Sequence, residues 1–142
     1  MVDHVKRDQD AVVNKAVVSL GSNIQPEVHT RAALDLLSLE FEVLACSSFV
    51  VTKPLGGVKQ DDFLNGVVLL TTEHERSVFT IRLKELEVGL GRLQRPDKWG
   101  PREIDLDLLI WNGQVVNNDY YERDFLRKAV AEVLPGIKSR CY

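Results

Sequence analysis

Apolar residues fall into alternating blocks of strand and helix spacing along the chain. Ala16–Leu20 (AVVSL) reads as a short strand that stops at the turn-forming Gly21-Ser22-Asn23. Pro26 stands where a helix starts, a position that tolerates its missing N–H, and Ala33, Leu34 and Leu37 carry helical spacing to about Leu39. Phe41, Val43 and Ala45 alternate with Glu42, Leu44 and Cys46, which predicts a strand running on towards Val51. Pro54 to Asp62 has turn chemistry and reads as a mobile loop, and Asn65–Thr71 as a strand rich in Val and Leu. Thr72-Glu73-His74-Glu75 has capping-box spacing, after which Phe79, Leu83, Leu86 and Leu90 repeat as the inner row of a helix with Arg82 and Glu85 outside. Gly89 and Gly91 end that helix. Gln94 to Pro101 is a second mobile loop, Ile104–Trp111 a strand, and Asn112-Gly113 a hairpin turn returning through Val115-Val116. A last amphipathic helix is expected from about Glu122 to Leu134, stopped by Pro135-Gly136.

The order β-α-β-β-α-β, then a hairpin and a helix, fits a ferredoxin-like α+β plan: an antiparallel sheet with packed helices in a single domain. At 142 residues the chain has the size of one domain, taken as residues 16–142 after a polar extension, Met1–Lys15. No apolar run approaches the roughly 20 residues of a membrane span, and no signal-peptide core is visible, so the expected location is cytoplasmic. Cys46 and Cys141 are too few for a disulfide scaffold and read as one buried strand thiol and one tail thiol. A net charge of -3 gives no broad attraction for nucleic acid. Residues 92–102 break that pattern: Arg92, Arg95, Lys98 and Arg102 face only Asp97, which suits a small anionic ligand.

The sharpest chemical feature is Asp105-Leu106-Asp107. On a strand, residues two apart share a face, so Ile104, Leu106, Leu108 and Ile110 face the core while Asp105, Asp107 and Leu109 face the other way. Two unit charges ~5 Å apart repel by about 3 kcal/mol at an effective dielectric near 20. Two readings stand: a solvated polar face, or a pair that holds a divalent cation, since Mg²⁺ is commonly held by one or two carboxylates plus substrate phosphates. Trp99-Gly100-Pro101-Arg102 just before the pair, and Arg92 before that, favour a magnesium–polyphosphate ligand, with guanidinium groups on the phosphates.

Leu90-Gly91-Arg92 and Lys98 to Leu109 (KWGPREIDLDLL) resemble the signature of the 6-hydroxymethyl-7,8-dihydropterin pyrophosphokinases. Ser19 to Asn23, Ser47-Ser48-Phe49 with Thr52 to Gly56, and Phe63 to Val67 resemble further segments of that family, in its order. The resemblance covers roughly Ala16 to Ile137. It implies pyrophosphoryl transfer from ATP to the hydroxymethyl group of a reduced pterin, with release of AMP, in folate synthesis. It further implies that Asp105 and Asp107 hold two Mg²⁺ ions, that Arg92 and Arg102 meet phosphates, and that Trp99 closes over the site. Glu87, Leu108 and Arg123 fall at ATP-contacting positions, while Thr52, Leu55, Phe63, Asn65 and Phe125 fall at pterin-binding ones, the two phenylalanines flanking the flat ring. A monomer or weak homodimer acting on small molecules is expected. His4, His29 and His74 match no catalytic position and read as surface residues.

The sequence departs from the family pattern twice. Gln94 stands where many members carry arginine, with Arg95 next door as a partial replacement. A longer segment carrying a Pro-His motif is missing, because Val116 to Glu122 runs directly into Arg123-Asp124-Phe125. Tyr120 or Tyr121 is then either a substitute nucleotide contact or a packed loop residue. Beside an active pyrophosphokinase, two alternatives stay open: a non-catalytic pterin- or nucleotide-binding module, and a phosphotransferase acting on another small alcohol.

Overall fold

The computed structural model describes residues 12–56, 59–96 and 99–134. Lys98, Cys141, His4 and Pro135-Gly136 lie outside the described residues, as do the first eleven positions. The elements are β1 (Asn14–Ser22), α1 (Pro26–Glu40), β2 (Glu42–Cys46), β3 (Val50–Thr52), β4 (Phe63–Thr72), α2 (Arg76–Gly89), β5 (Asp105–Trp111), β6 (Gln114–Val115), α3 (Asp119–Glu122) and α4 (Asp124–Val133). The strands form one antiparallel sheet in the order β2-β4-β1-β5-β6, with β3 also pairing β4. With β1 and β4 at the centre, this is the ferredoxin-like arrangement the element order predicts.

Both sheet faces are covered, but unequally. On one face Val18, Leu20, Val68, Leu70 and Leu106 pack against Ala33 and Leu37 of α1 and Phe79, Leu83 and Leu86 of α2. On the other, Val17, Val67, Leu69, Leu109 and Ile110 pack beneath Leu126, Ala129, Val130 and Val133 of α4. Beyond α4 the second face carries Ser19, Gly21, Asn65, Asp105 and Asp107, all lining one cavity.

Two register shifts correct the strict alternation expected from the sequence. In β5, Val17 pairs with Ile110 but Val18 with Leu108, so Leu109 is an extra residue; Leu109 and Ile110 both join the α4 core, and Ile110 leaves the row of Leu106 and Leu108. In β2 the shift between Val43 and Ala45 likewise sends Val43 to one core and Ala45 to the other. Bulges of this kind cannot be seen in a period-two pattern, because each inserts one residue and re-aims everything beyond it.

Several boundaries also move. β1 already includes Asn14 and Lys15, placed in the extension by the sequence reading. The Asn112 side chain accepts from the Lys15 N–H and donates to Asn14 Oδ1, so the hairpin turn holds these polar residues in the sheet. The capping box does not form: Thr72 ends β4, its hydroxyl accepts from the His74 N–H, and α2 begins at Arg76. Strand pairing on β4 stops at Cys46 and resumes at Val50, and Cys46 is exposed on this edge rather than buried. The last helix is split by Arg123, whose backbone is extended between α3 and α4.

Phe79 is fully buried, with Phe41 edge-on at 5.3 Å and Trp111 at 5.7 Å between ring centroids. Phe79→Ala is expected to lower unfolding free energy by about 3–5 kcal/mol, read from urea denaturation, because it empties the contact between α2 and the sheet.

Candidate active site

The site begins with an unfilled sheet edge. β6 pairs only with Ile110 and Trp111, so the outer edge of β5 near Leu106 has no strand beside it. Side chains of α2 take that place. The Leu106 N–H donates to Glu87 Oε2 at 2.6 Å, and the Lys84 ammonium donates to the Leu106 carbonyl at 2.9 Å. Lys84 and Glu87 lie three residues apart on α2, and Lys84 Nζ also donates to Glu87 Oε2 at 2.8 Å.

Charges then alternate outward from this anchor. Arg92 donates to both Glu87 Oε1 and Asp105 Oδ1, each at 2.9 Å. Arg102 donates to Asp105 Oδ2 at 3.3 Å, and Lys84 to Asp107 Oδ1 at 3.1 Å. Glu87 is almost fully buried, yet both its oxygens are bonded, which is what allows a carboxylate to stay there. The side chains of Asp105 and Asp107 are 25% and 32% exposed and look into the cavity.

The two aspartates titrate apart. Burial pushes the Asp107 carboxyl up, and the neighbouring Asp105 charge pushes it further, to about 7. Burial acts the same way on Asp105, but a hydrogen bond from Asp107 and the charges of Lys84, Arg102 and Arg92 hold it below the usual range. Lys84 is raised: burial works against its charge, and Asp107 and Glu87 outweigh that. Among the described residues no third acid, histidine or cysteine joins the pair. Two oxygen donors facing a cavity fit Mg²⁺, whose remaining ligands are commonly water and substrate phosphate.

The cavity beside the aspartates has a volume of about 480 Å³, within the range of small-molecule sites. Arg102, Asp105, Asp107 and Trp99 line one part of it; Thr52, Leu55, Phe63, Asn65, Arg123 and Phe125 line the rest. A second hollow, of about 170 Å³, lies across Asp107 and is lined by Lys84, Leu108, Thr80 and Asn117. Asp107 therefore stands at the junction of the two. Gly21, between Asp105 and Asn65 in the sheet, leaves room for the Asn65 amide: a Cβ there would stand 2.8 Å from Asn65 Oδ1. The Asn65 amide nitrogen donates to the Thr52 hydroxyl at 2.6 Å, which fixes the orientation of the group.

Asn23, buried at the end of β1, ties the two loops together. Its amide nitrogen donates to Gln60 Oε1 and to the Asp61 carbonyl, while its oxygen accepts from the Arg102 N–H. Gln60 donates to the Trp99 carbonyl, and Gly56, at φ 81°, lies against the Trp99 side chain.

The profile of the 7,8-dihydro-6-hydroxymethylpterin-pyrophosphokinase (HPPK) family matches residues 17–135. The chain belongs to that family. It is 34% identical to the 2-amino-4-hydroxy-6-hydroxymethyldihydropteridine pyrophosphokinase of Pseudomonas aeruginosa over 109 residues, covering 75% of this chain and 67% of the relative. The Haemophilus influenzae protein of the same name is 31% identical over 133 residues, covering 86% and 82%. The one from Bacillus subtilis is 34% identical over 136 residues, covering 88% and 81%.

Set beside the family-derived expectations, most of the expected residues converge. Thr52, Leu55, Phe63, Asn65, Trp99, Arg102, Asp105, Asp107, Arg123 and Phe125 share the main cavity, and Leu108 lines the second hollow. Arg92 stands behind Asp105, while Glu87 is bonded inside the protein to Arg92, Lys84 and Leu106. The Arg95 guanidinium forks onto Glu103 at 2.9 and 2.7 Å and holds that carboxyl down at about 2. Tyr120 is packed in the α4 core, whereas Tyr121 is exposed. Lys84 and Asn23 carry central contacts that the sequence reading left unassigned. Glu87, an acid four residues after Leu83 in the buried row of α2, was the available signal for the cluster.

Because Asp107 keeps its proton to about pH 7 in the folded chain, the folded state binds more protons than the unfolded one between about pH 4 and 7. Its contribution to stability is therefore present below that window and lost as pH rises through it. In metal-free buffer Asp107→Asn should melt above the parent protein at pH 8, with the gap closing towards pH 4, in thermal melts across that range.

Proposed function

We propose that this chain transfers the pyrophosphoryl group of ATP to the hydroxymethyl oxygen of 6-hydroxymethyl-7,8-dihydropterin and releases AMP, a step of folate synthesis. The observation that carries the reading is the aspartate pair in a cavity that also gathers Asn65, Phe63, Phe125, Arg102 and Arg123, with a second hollow on the Lys84 side of Asp107. The hydroxyl oxygen forms a bond to the β-phosphorus, and the bond from that phosphorus to the bridging oxygen of the α-phosphate breaks. The hydroxyl proton leaves to solvent. Asp105 and Asp107 would hold the two Mg²⁺ ions, which supply charge neutralisation for the triphosphate and acidify the attacking hydroxyl.

The remaining residues orient and neutralise. Asn65, braced by Thr52, hydrogen-bonds the pterin edge, with Phe63 and Phe125 on its faces and Leu55 at its rim. Arg102 and Arg123 meet phosphates from inside the cavity, and Arg92 acts from behind Asp105. Glu87 supports the nucleotide end through Lys84 and Arg92. Leu108 packs against the nucleoside, and Trp99 closes over the site on its loop. With a nucleophile that needs only alignment and charge stabilisation, no histidine base is required.

The connection from β6 to α4 favours a second reading. It spans residues 116–123 with one short helix, and we read it as a shortened form of the family's nucleotide-binding segment. In that reading the chain binds pterin or nucleotide without turnover.

Incubation with ATP, Mg²⁺ and hydroxymethyl-dihydropterin should yield AMP, followed by chromatography; binding of both substrates by calorimetry with no AMP formed would leave only the binding module. Asp105→Ala and Asp107→Ala should each lower turnover by at least about 100-fold while the circular dichroism spectrum stays unchanged. Gly21→Ala should push the Asn65 amide aside and weaken pterin binding on the order of tenfold, with ATP binding little changed in the same calorimeter.

A further inference from the structure

Asp107 meets a cation of the chain itself. Arg92 and Arg102 both bond Asp105, and the salt bridge of Asp107 runs to the Lys84 ammonium at 3.1 Å. The same ammonium lies 3.9 Å from Asp105 Oδ1, so one positive charge touches both acids of the pair. Lys84, Arg92 and Arg102 thereby interleave with Glu87, Asp105 and Asp107. The arginines carry rigid planar guanidinium groups, whereas Lys84 is a compact charge on a flexible stem, and its side chain is 48% exposed at the wall of the second hollow.

We propose that Lys84 is a tethered counter-cation. It holds the aspartates together while no metal is bound, competes with a divalent ion for them, and moves onto the phosphates when a magnesium–nucleotide complex arrives. The inference rests on the reading of Asp105 and Asp107 as metal ligands. A doubly charged ion between the aspartates repels the ammonium, and triphosphate oxygens entering from the second hollow offer it a new partner within reach of the same side chain. Lys84 is then a positioning residue that makes metal binding depend on nucleotide: bare metal meets a competitor, and metal with nucleotide does not.

Mn²⁺ titration with free ion counted by electron paramagnetic resonance tests this, using the parent chain, Lys84→Met and Lys84→Gln, with and without α,β-methylene-ATP. Lys84→Gln removes the charge and keeps an N–H donor on a shorter side chain, and Lys84→Met removes both charge and donor. Without nucleotide, both variants are expected to bind Mn²⁺ roughly tenfold more tightly than the parent. With the analogue present, that gain should vanish or reverse. Equal or weaker Mn²⁺ binding by a folded variant overturns the proposal, and so does the same gain with and without analogue. If neither the parent nor either variant binds Mn²⁺ under any condition, the metal reading itself falls and takes this inference with it.

Discussion

The site depends on one unfilled position in the sheet. β6 is two residues long, so no strand covers the outer edge of β5 at Leu106, and a buried amide and carbonyl there must find partners elsewhere. Glu87 and Lys84 supply them from α2. Once a carboxylate and an ammonium are fixed at that edge, the charges of Arg92, Asp105, Asp107 and Arg102 follow by alternation. The groups that close the sheet edge thus also set the electrostatics of the cavity. A protein that merely needed a closed edge would do so more cheaply with a longer strand.

Loops carry the rest of the site, and they are tethered to the sheet. Asn23 bonds both the segment after β3 and the segment before β5 from a buried position at the end of β1. Trp99 rests on Gly56 across the same gap, where any larger residue would collide with the indole. Arg95 forks onto the buried Glu103, which also accepts the Leu93 N–H. A few polar contacts at Asn23 and Gln60 thus hold both loops beside the cavity.

In this member of the pyrophosphokinase family the route from β6 to α4 covers residues 116–123. It folds α3 directly ahead of α4, and Tyr120 closes that corner against the sheet core. Arg123 and Phe125 reach the cavity because the backbone is extended at Arg123, which breaks the helix at the point where the two side chains must face the sheet.

The element order, the two main helices, the Asn112-Gly113 turn and the acid pair were legible in the sequence, because each is written in local spacing or in local turn chemistry. Asn112 and Gly113, at φ 50° and 83°, adopt the left-handed geometry that such a turn needs. Phe79, Leu83 and Leu86 face inward because a 3.6-residue period leaves them no other arrangement that buries them. The bulges at Leu109 and Leu44 were hidden, since each lies in an apolar run, Leu108-Leu109-Ile110 or Val43-Leu44-Ala45, where no polar residue marks the change of register. Lys84 was hidden for another reason: nothing on its own helix indicates that β5 lacks a neighbour at Leu106. Only the folded chain brings an ammonium, a bare strand edge and two aspartates from distant positions to within hydrogen-bonding distance, and charge at that range decides what the site can bind.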